Sequence, residues 1–255
     1  MAGKRSLISS LLAFILGQAP AMAEAGNAPN YAEAFTRAFD ASYKLDIDDA
    51  TDGQPPNVVS TTFRTLELGT LKIVSGKISA CDPFVSIDAR KPFTQPVPNG
   101  SFPVQLAIAQ GGINDGRIAF ARVEFSSAPA VRWTMAVMEG QDLATLKADE
   151  IFGYPVDAGT GAFYDPKAGE ALTAELKSNQ DAWEDWQTKG EANGKAANLK
   201  PNFFLMLPAG ETNVAMFASG WGDGFYASYF GFDKDGQVVA LVTDFAIIDW
   251  AKVKR

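Results

Sequence analysis

Histidine is absent from all 255 residues, and cysteine occurs only once. Without histidine the chain cannot build a Ser-His-Asp or Cys-His catalytic set, a His-ligated metal site, or the usual proton carrier near neutral pH. A lone cysteine forms neither an intrachain disulfide nor a Cys-based zinc cluster. Basic residues are also scarce, 22 Lys and Arg against 30 Asp and Glu, for a formal net charge of −8. That balance argues against nucleic acid, which needs a basic footprint, and against an anionic membrane surface. Beyond the N-terminus no run is apolar enough to span a bilayer.

What remains, 47% apolar and 20% charged, is the composition of a globular protein with room for one full domain and a small appendage. The first segment reads as a secretory signal. Lys4 and Arg5 precede an apolar run from Ser6 to Leu16, Pro20 breaks it, and Ala21-Met22-Ala23 supplies a small-x-small cleavage pattern. Cleavage after Ala23 would place the protein in the periplasm or outside the cell, without a membrane anchor. It would leave 20 basic against 30 acidic residues and a net charge of −10. A cation, a basic peptide or a neutral small molecule fits that charge, which also serves solubility. Cys81 closes a strand-like run from Lys77 and is expected to be buried and inert.

Residues 24–60 read as a short helix and an acidic linker, and 61–255 as a single domain. Tyr31, Phe35, Phe39 and Tyr43 recur every four residues and predict a helix that packs on the domain. The acidic stretch Asp46 to Gly53 fails the EF-hand pattern, because Ala50 stands where an oxygen ligand is needed, so it is expected to be a solvated loop. From Thr61 to Glu139 apolar residues alternate, as in Val104-x-Leu106-x-Ile108 and Val131-x-Trp133-x-Met135, with turns at Gly76, Asn99-Gly100 and Asn114-Asp115-Gly116. A short helix is expected over about Asp142–Ile151. A long one is expected over Pro166–Thr188, capped by Asp165 and stopped by Gly190, followed by a surface loop over 189–201. Strands return at Val214, at Phe225 to Phe230 and at Val238 to Val242. The fold expected is α+β: a mainly antiparallel β sheet or sandwich with one long packed helix and a short N-terminal helix.

Two stretches combine glycine, carboxylate and aromatic residues. They are Gly153 to Gly161, and Ser219 to Tyr226 with Trp221 and Asp223 at its centre. Glycines beside an acid allow a tight turn and close ligand approach, and such an acid can bind a cation, accept hydrogen bonds or act as a base. The same residues also build ordinary turns. Gly159-Thr160-Gly161 lacks both the P-loop lysine and the third glycine of a dinucleotide fingerprint.

Cys81-Asp82-Pro83, Gly100-x-x-Pro103-Val104, Arg117-Ile118-Ala119, Trp133-Thr134-Met135-Ala136, Gly153-Tyr154-x-Val156-Asp157-Ala158-Gly159, Gly220-Trp221-Gly222-Asp223-Gly224-x-Tyr226 and Asp244-Phe245 follow one another in order. This succession resembles the bacterial domain-of-unknown-function family 4241 over roughly Leu66 to Asp244. The resemblance implies a shared fold and no residue roles. It points to four acids, Asp82, Asp157, Asp223 and Asp244, at predicted strand ends or in glycine turns. If they met at one rim, like-charge repulsion would raise one pKa and create a base, with Trp221 and Tyr226 as walls. The duller alternative is that each acid bonds nearby main-chain amides and fixes its own loop.

Three functional readings stay open. One is an exported, non-catalytic binding or interaction protein with a protein or small-molecule partner and no cofactor. Another is a carboxylate-based hydrolase, with calcium or magnesium as an optional ion. The third is an immunity-type protein that neutralises a toxin.

Overall fold

The computed structural model describes residues 28–48, 55, 57–87, 90–147, 150–179 and 181–254. The expected signal segment, 1–23, and most of the acidic loop, 49–54, lie outside them. The strands are β1 (Lys44–Asp48), β2 (Val58–Ile73), β3 (Ser79–Cys81), β4 (Gly100–Gln110), β5 (Ile118–Glu124), β6 (Arg132–Met135), β7 (Tyr154–Val156), β8 (Thr160–Tyr164), β9 (Phe204–Ala209), β10 (Thr212–Ala218), β11 (Gly224–Tyr226), β12 (Ser228–Phe232) and β13 (Val238–Asp244). The helices are α1 (Ala34–Arg37), α2 (Pro83–Ser86), α3 (Pro166–Ser178) and α4 (Ala182–Ala196).

The strands form a seven-stranded sheet in the order β1-β2-β4-β5-β13-β12-β6, a four-stranded sheet β3-β8-β10-β9, and a two-stranded ribbon β11-β7. Every pairing is antiparallel. Leu106, Ile108 and Val123 of the large sheet share one buried core with Phe163, Met216 and Phe217 of the small one, whose strands β8 and β10 are buried on both faces. The α+β architecture expected from sequence is therefore present. Asp46 and Asp48, read above as part of a solvated loop, belong instead to β1, an edge strand in which Leu45 and Ile47 turn inward.

Three helix expectations are corrected. The aromatic stripe from Tyr31 to Tyr43 does pack on the domain: Phe35 touches Phe120, Trp133 and Tyr229, and Tyr43 stacks on Phe63. Only Ala34–Arg37 is α-helical, however, because the Asp40 carboxylate captures the Ser42 amide and turns the chain out of the helix. Asp142–Ile151 shrinks to a 3₁₀ turn over Leu143–Thr145, which buries none of its residues and so has nothing to offset the cost of helix nucleation.

The single helix over Pro166–Thr188 is two helices, broken at Asn179, which adopts an extended conformation. The second continues to Ala196 through the segment expected to be a loop. Gly190 and Gly194 do not stop it; they are where it touches its neighbours. A Cβ at Gly190 would run into the Phe203 ring, and one at Gly194 into the Asn202–Phe203 backbone. Among the described residues no helix is long and apolar enough to cross a membrane.

Candidate ligand-binding site

Two Asp-Pro steps shape opposite ends of the β3–β8 pair in the small sheet. Strand β3 ends at Asp82-Pro83 and its neighbour β8 ends at Asp165-Pro166, and each aspartate begins a helix whose first turn contains the proline. Both aspartates are fully buried. Asp82 Oδ1 accepts from the Phe84 amide (3.0 Å), and Oδ2 accepts from the Asp157 and Ala158 amides (3.0 and 2.6 Å). Asp165 repeats the arrangement. Its Oδ1 accepts from the Lys167 amide (2.9 Å), and Oδ2 from the Val74 and Ser75 amides (2.8 and 2.7 Å). Three charge-assisted bonds from amides offset the burial of each carboxylate. Asp82 therefore fixes the Asp157 loop from beneath rather than reaching a ligand.

That loop follows β7, which pairs with β11 at Tyr154↔Tyr226 and Val156↔Gly224. Asp157 comes directly after this last pair and Asp223 directly before it, so the ribbon brings the two together across one end. Both are exposed, and among the described residues neither forms an ion pair. The Ser219 amide donates to the Gly159 carbonyl (3.1 Å), locking the two glycine loops side by side. Tyr226 is not a wall: its hydroxyl donates to the Gly222 carbonyl (2.8 Å) within its own loop. Trp221 and Phe225 stand outward, each 51% exposed. The Arg117 guanidinium lies 3.5 Å from the Trp221 ring centre and bonds the Gly220 carbonyl (3.0 Å), which holds the indole in place.

Beside these loops runs a groove of about 600 Å³. One wall is α4, which presents Trp183, Gln187 and Glu191 at four-residue steps; the other is Phe84 with Ala158 to Thr160, and Pro201 to Phe203 close the end. Phe84 meets Trp183 and Phe203 edge-on, with ring centres 6.5 and 6.0 Å apart. Its lining residues include one carboxylate, from Glu191, and neither lysine nor arginine. Sequence reasoning missed this wall. In the long packed helix expected over Pro166–Thr188 both tryptophans would pack on the domain, but Trp186 is buried while Trp183 is 44% exposed. The signal was the four-residue spacing of Trp183, Gln187 and Glu191.

Asp244 lies apart from the other three acids. It is the last residue of β13, its neighbour Phe245 packs on Phe217 and Tyr226, and its own carboxylate accepts from the Tyr31 hydroxyl (2.9 Å) and the Ala246 amide (2.8 Å). Adjacent residues of an extended chain point to opposite faces, which leaves Asp244 beneath the N-terminal segment. Burial raises its pKa from the usual 3.8 to about 6, outweighing the two bonds that favour the charged form. The chain thus brings Asp82, Asp157 and Asp223 to one loop cluster, where only the last two face solvent, and leaves Asp244 out. Among the described residues no group of three or more His, Cys, Asp or Glu side chains is placed to hold a metal ion. Cys81 is buried, and burial pushes its thiol up to about 12.

A family model described as "Protein of unknown function (DUF4241)" matches residues 71–243, within the span of the resemblance drawn from the motifs. No curated protein and no solved structure matches the chain.

Proposed function

Since the chain belongs to the DUF4241 family, whose description carries no activity, we propose a function from its own geometry. The protein is a non-catalytic binding protein that takes a basic, partly apolar peptide segment of a partner into the groove along α4. The observation that carries this reading is the groove's lining: three aromatic rings and a carboxylate, with no lysine or arginine, beside two unpaired exposed acids. Aromatic anchors supply contact area at little entropic cost. Glu191, Asp157 and Asp223 supply the charge that selects a cation. A toxin-neutralising role would be one form of it, with the toxin as partner. The hydrolase reading would work through Asp157 and Asp223, and both are solvated. A catalytic carboxyl is ordinarily tuned by removing it from water, so binding is the reading supported.

The test is fluorescence polarisation with labelled Lys/Leu/Tyr peptides and a matched Glu/Leu/Tyr set. Binding of the basic set, weakened about tenfold in Trp183→Ala, the scale of an interface anchor, and less in Glu191→Gln, supports the reading. Equal binding of the acidic set, or affinity unmoved by either substitution, overturns it. Export belongs to the same proposal, and N-terminal sequencing of secreted or periplasmic material should start at Glu24; retention in the cell with Met1 in place would contradict it.

A further inference from the structure

A second groove, of about 430 Å³, lies past the end of α2, where Ile87 and Tyr164 face α3 from Pro166 to Lys177. Its electrostatics are the reverse of the first. Arg90 and Lys177 both line it, and among the described residues neither forms an ion pair. Arg90 is half-buried. One end of its guanidinium donates to the Gly153 carbonyl (2.8 Å), while its Nε is sealed from solvent without an acceptor. Burial lowers its pKa, and the described groups acting on its charge are the Cys81 thiol and the hydroxyls of Tyr164 and Tyr154. A half-buried arginine with no acidic partner among the described residues is costly.

We propose that this groove is a binding site for a small organic carboxylate with an apolar body, of roughly amino-acid size, held between Arg90 and Lys177. A guanidinium is shaped for a carboxylate, and the ammonium adds a second, more mobile charge. Ile87, Pro166 and Ala174 give the ligand's body an apolar wall. The exposed carboxylate of Glu170 also lines the groove; it disfavours a dianion such as phosphate and leaves one net positive charge to match a singly charged ligand.

Isothermal titration of the full protein with N-acetyl-leucine, leucinamide and inorganic phosphate tests this. N-acetyl-leucine should bind, with leucinamide and phosphate at least tenfold weaker. Lys177→Gln, an exposed position whose loss leaves the fold intact, should weaken N-acetyl-leucine about threefold or more, and Arg90→Gln by tenfold or more. The proposal is overturned if N-acetyl-leucine does not bind, if leucinamide or phosphate binds as well, or if Lys177→Gln leaves affinity unchanged. The basic-peptide reading stands or falls separately, since its variants lie in the other groove.

Discussion

The two Asp-Pro corners are built alike and flank different surfaces. At Asp82 and at Asp165 one carboxylate oxygen caps the helix that follows while the other takes two successive amides of a distant loop. Above the first corner lies a groove whose only lining charge is negative; beside the second lies one with two cations that form no ion pair among the described residues. The corners are architecture and the grooves are chemistry. An acid singled out by a motif can serve the first while the neighbours it fixes serve the second.

The sharpest way to break this comparison is to remove a corner. Asp82→Ala strands the amides of Phe84, Asp157 and Ala158, and Asp165→Ala strands three others. At 1–3 kcal/mol for each buried group left without a partner, each variant should lose about 4 kcal/mol in urea unfolding. A loss below about 1 kcal/mol would mean that water replaces the carboxylate and the corner is not structural.

Gly190→Ala comes next, because the added methyl meets the Phe203 ring. Overpacking of this kind costs about 2 kcal/mol and should distort the α4 groove while leaving the Arg90 groove intact. Unchanged stability would show that α4 can shift freely.

Asp244 supplies a contrast, a buried acid held by one amide and one hydroxyl where the corners have three amides. Folded Asp244 keeps its proton up to about pH 6, whereas an unfolded aspartate releases it near 3.8. Between those values the folded state binds more protons, so stability falls as pH rises through the window. The step is on the order of 2 kcal/mol. Unfolding followed from pH 4 to pH 7 should show this fall in the wild type and a flatter profile in Asp244→Asn. Identical profiles would mean that the carboxyl is not desolvated.

Smallest of all, Asp157→Asn and Asp223→Asn should change stability by less than about 0.5 kcal/mol, as exposed positions do, while weakening any cationic ligand. A larger loss of stability would put them with the corners.

The strands were legible because large apolar residues recur at every second position, as at Val104, Leu106 and Ile108 in β4 and at Trp133 and Met135 in β6. The helix pair was less so. Gly190 and Gly194 carry the same letters whether they end a helix or let it press on Phe203, and only the tertiary contact decides. Asp82 and Asp165 were each read as half of what they do: Asp165 as a helix cap and Asp82 as a site residue. The distant amides that complete them lie more than 70 residues away from either, beyond any local pattern. Arg90 escaped notice because its burial, and the lack of an acid beside it among the described residues, are properties of the folded chain.

The most direct measurement is the mapping of amide and indole chemical shifts during titration with the basic peptide. The expected changes centre on the Trp183 indole, Gln187, Glu191 and the amides of Ala158 to Thr160. Shifts confined to other faces, with those residues still, would contradict the assignment of the α4 groove as the binding surface.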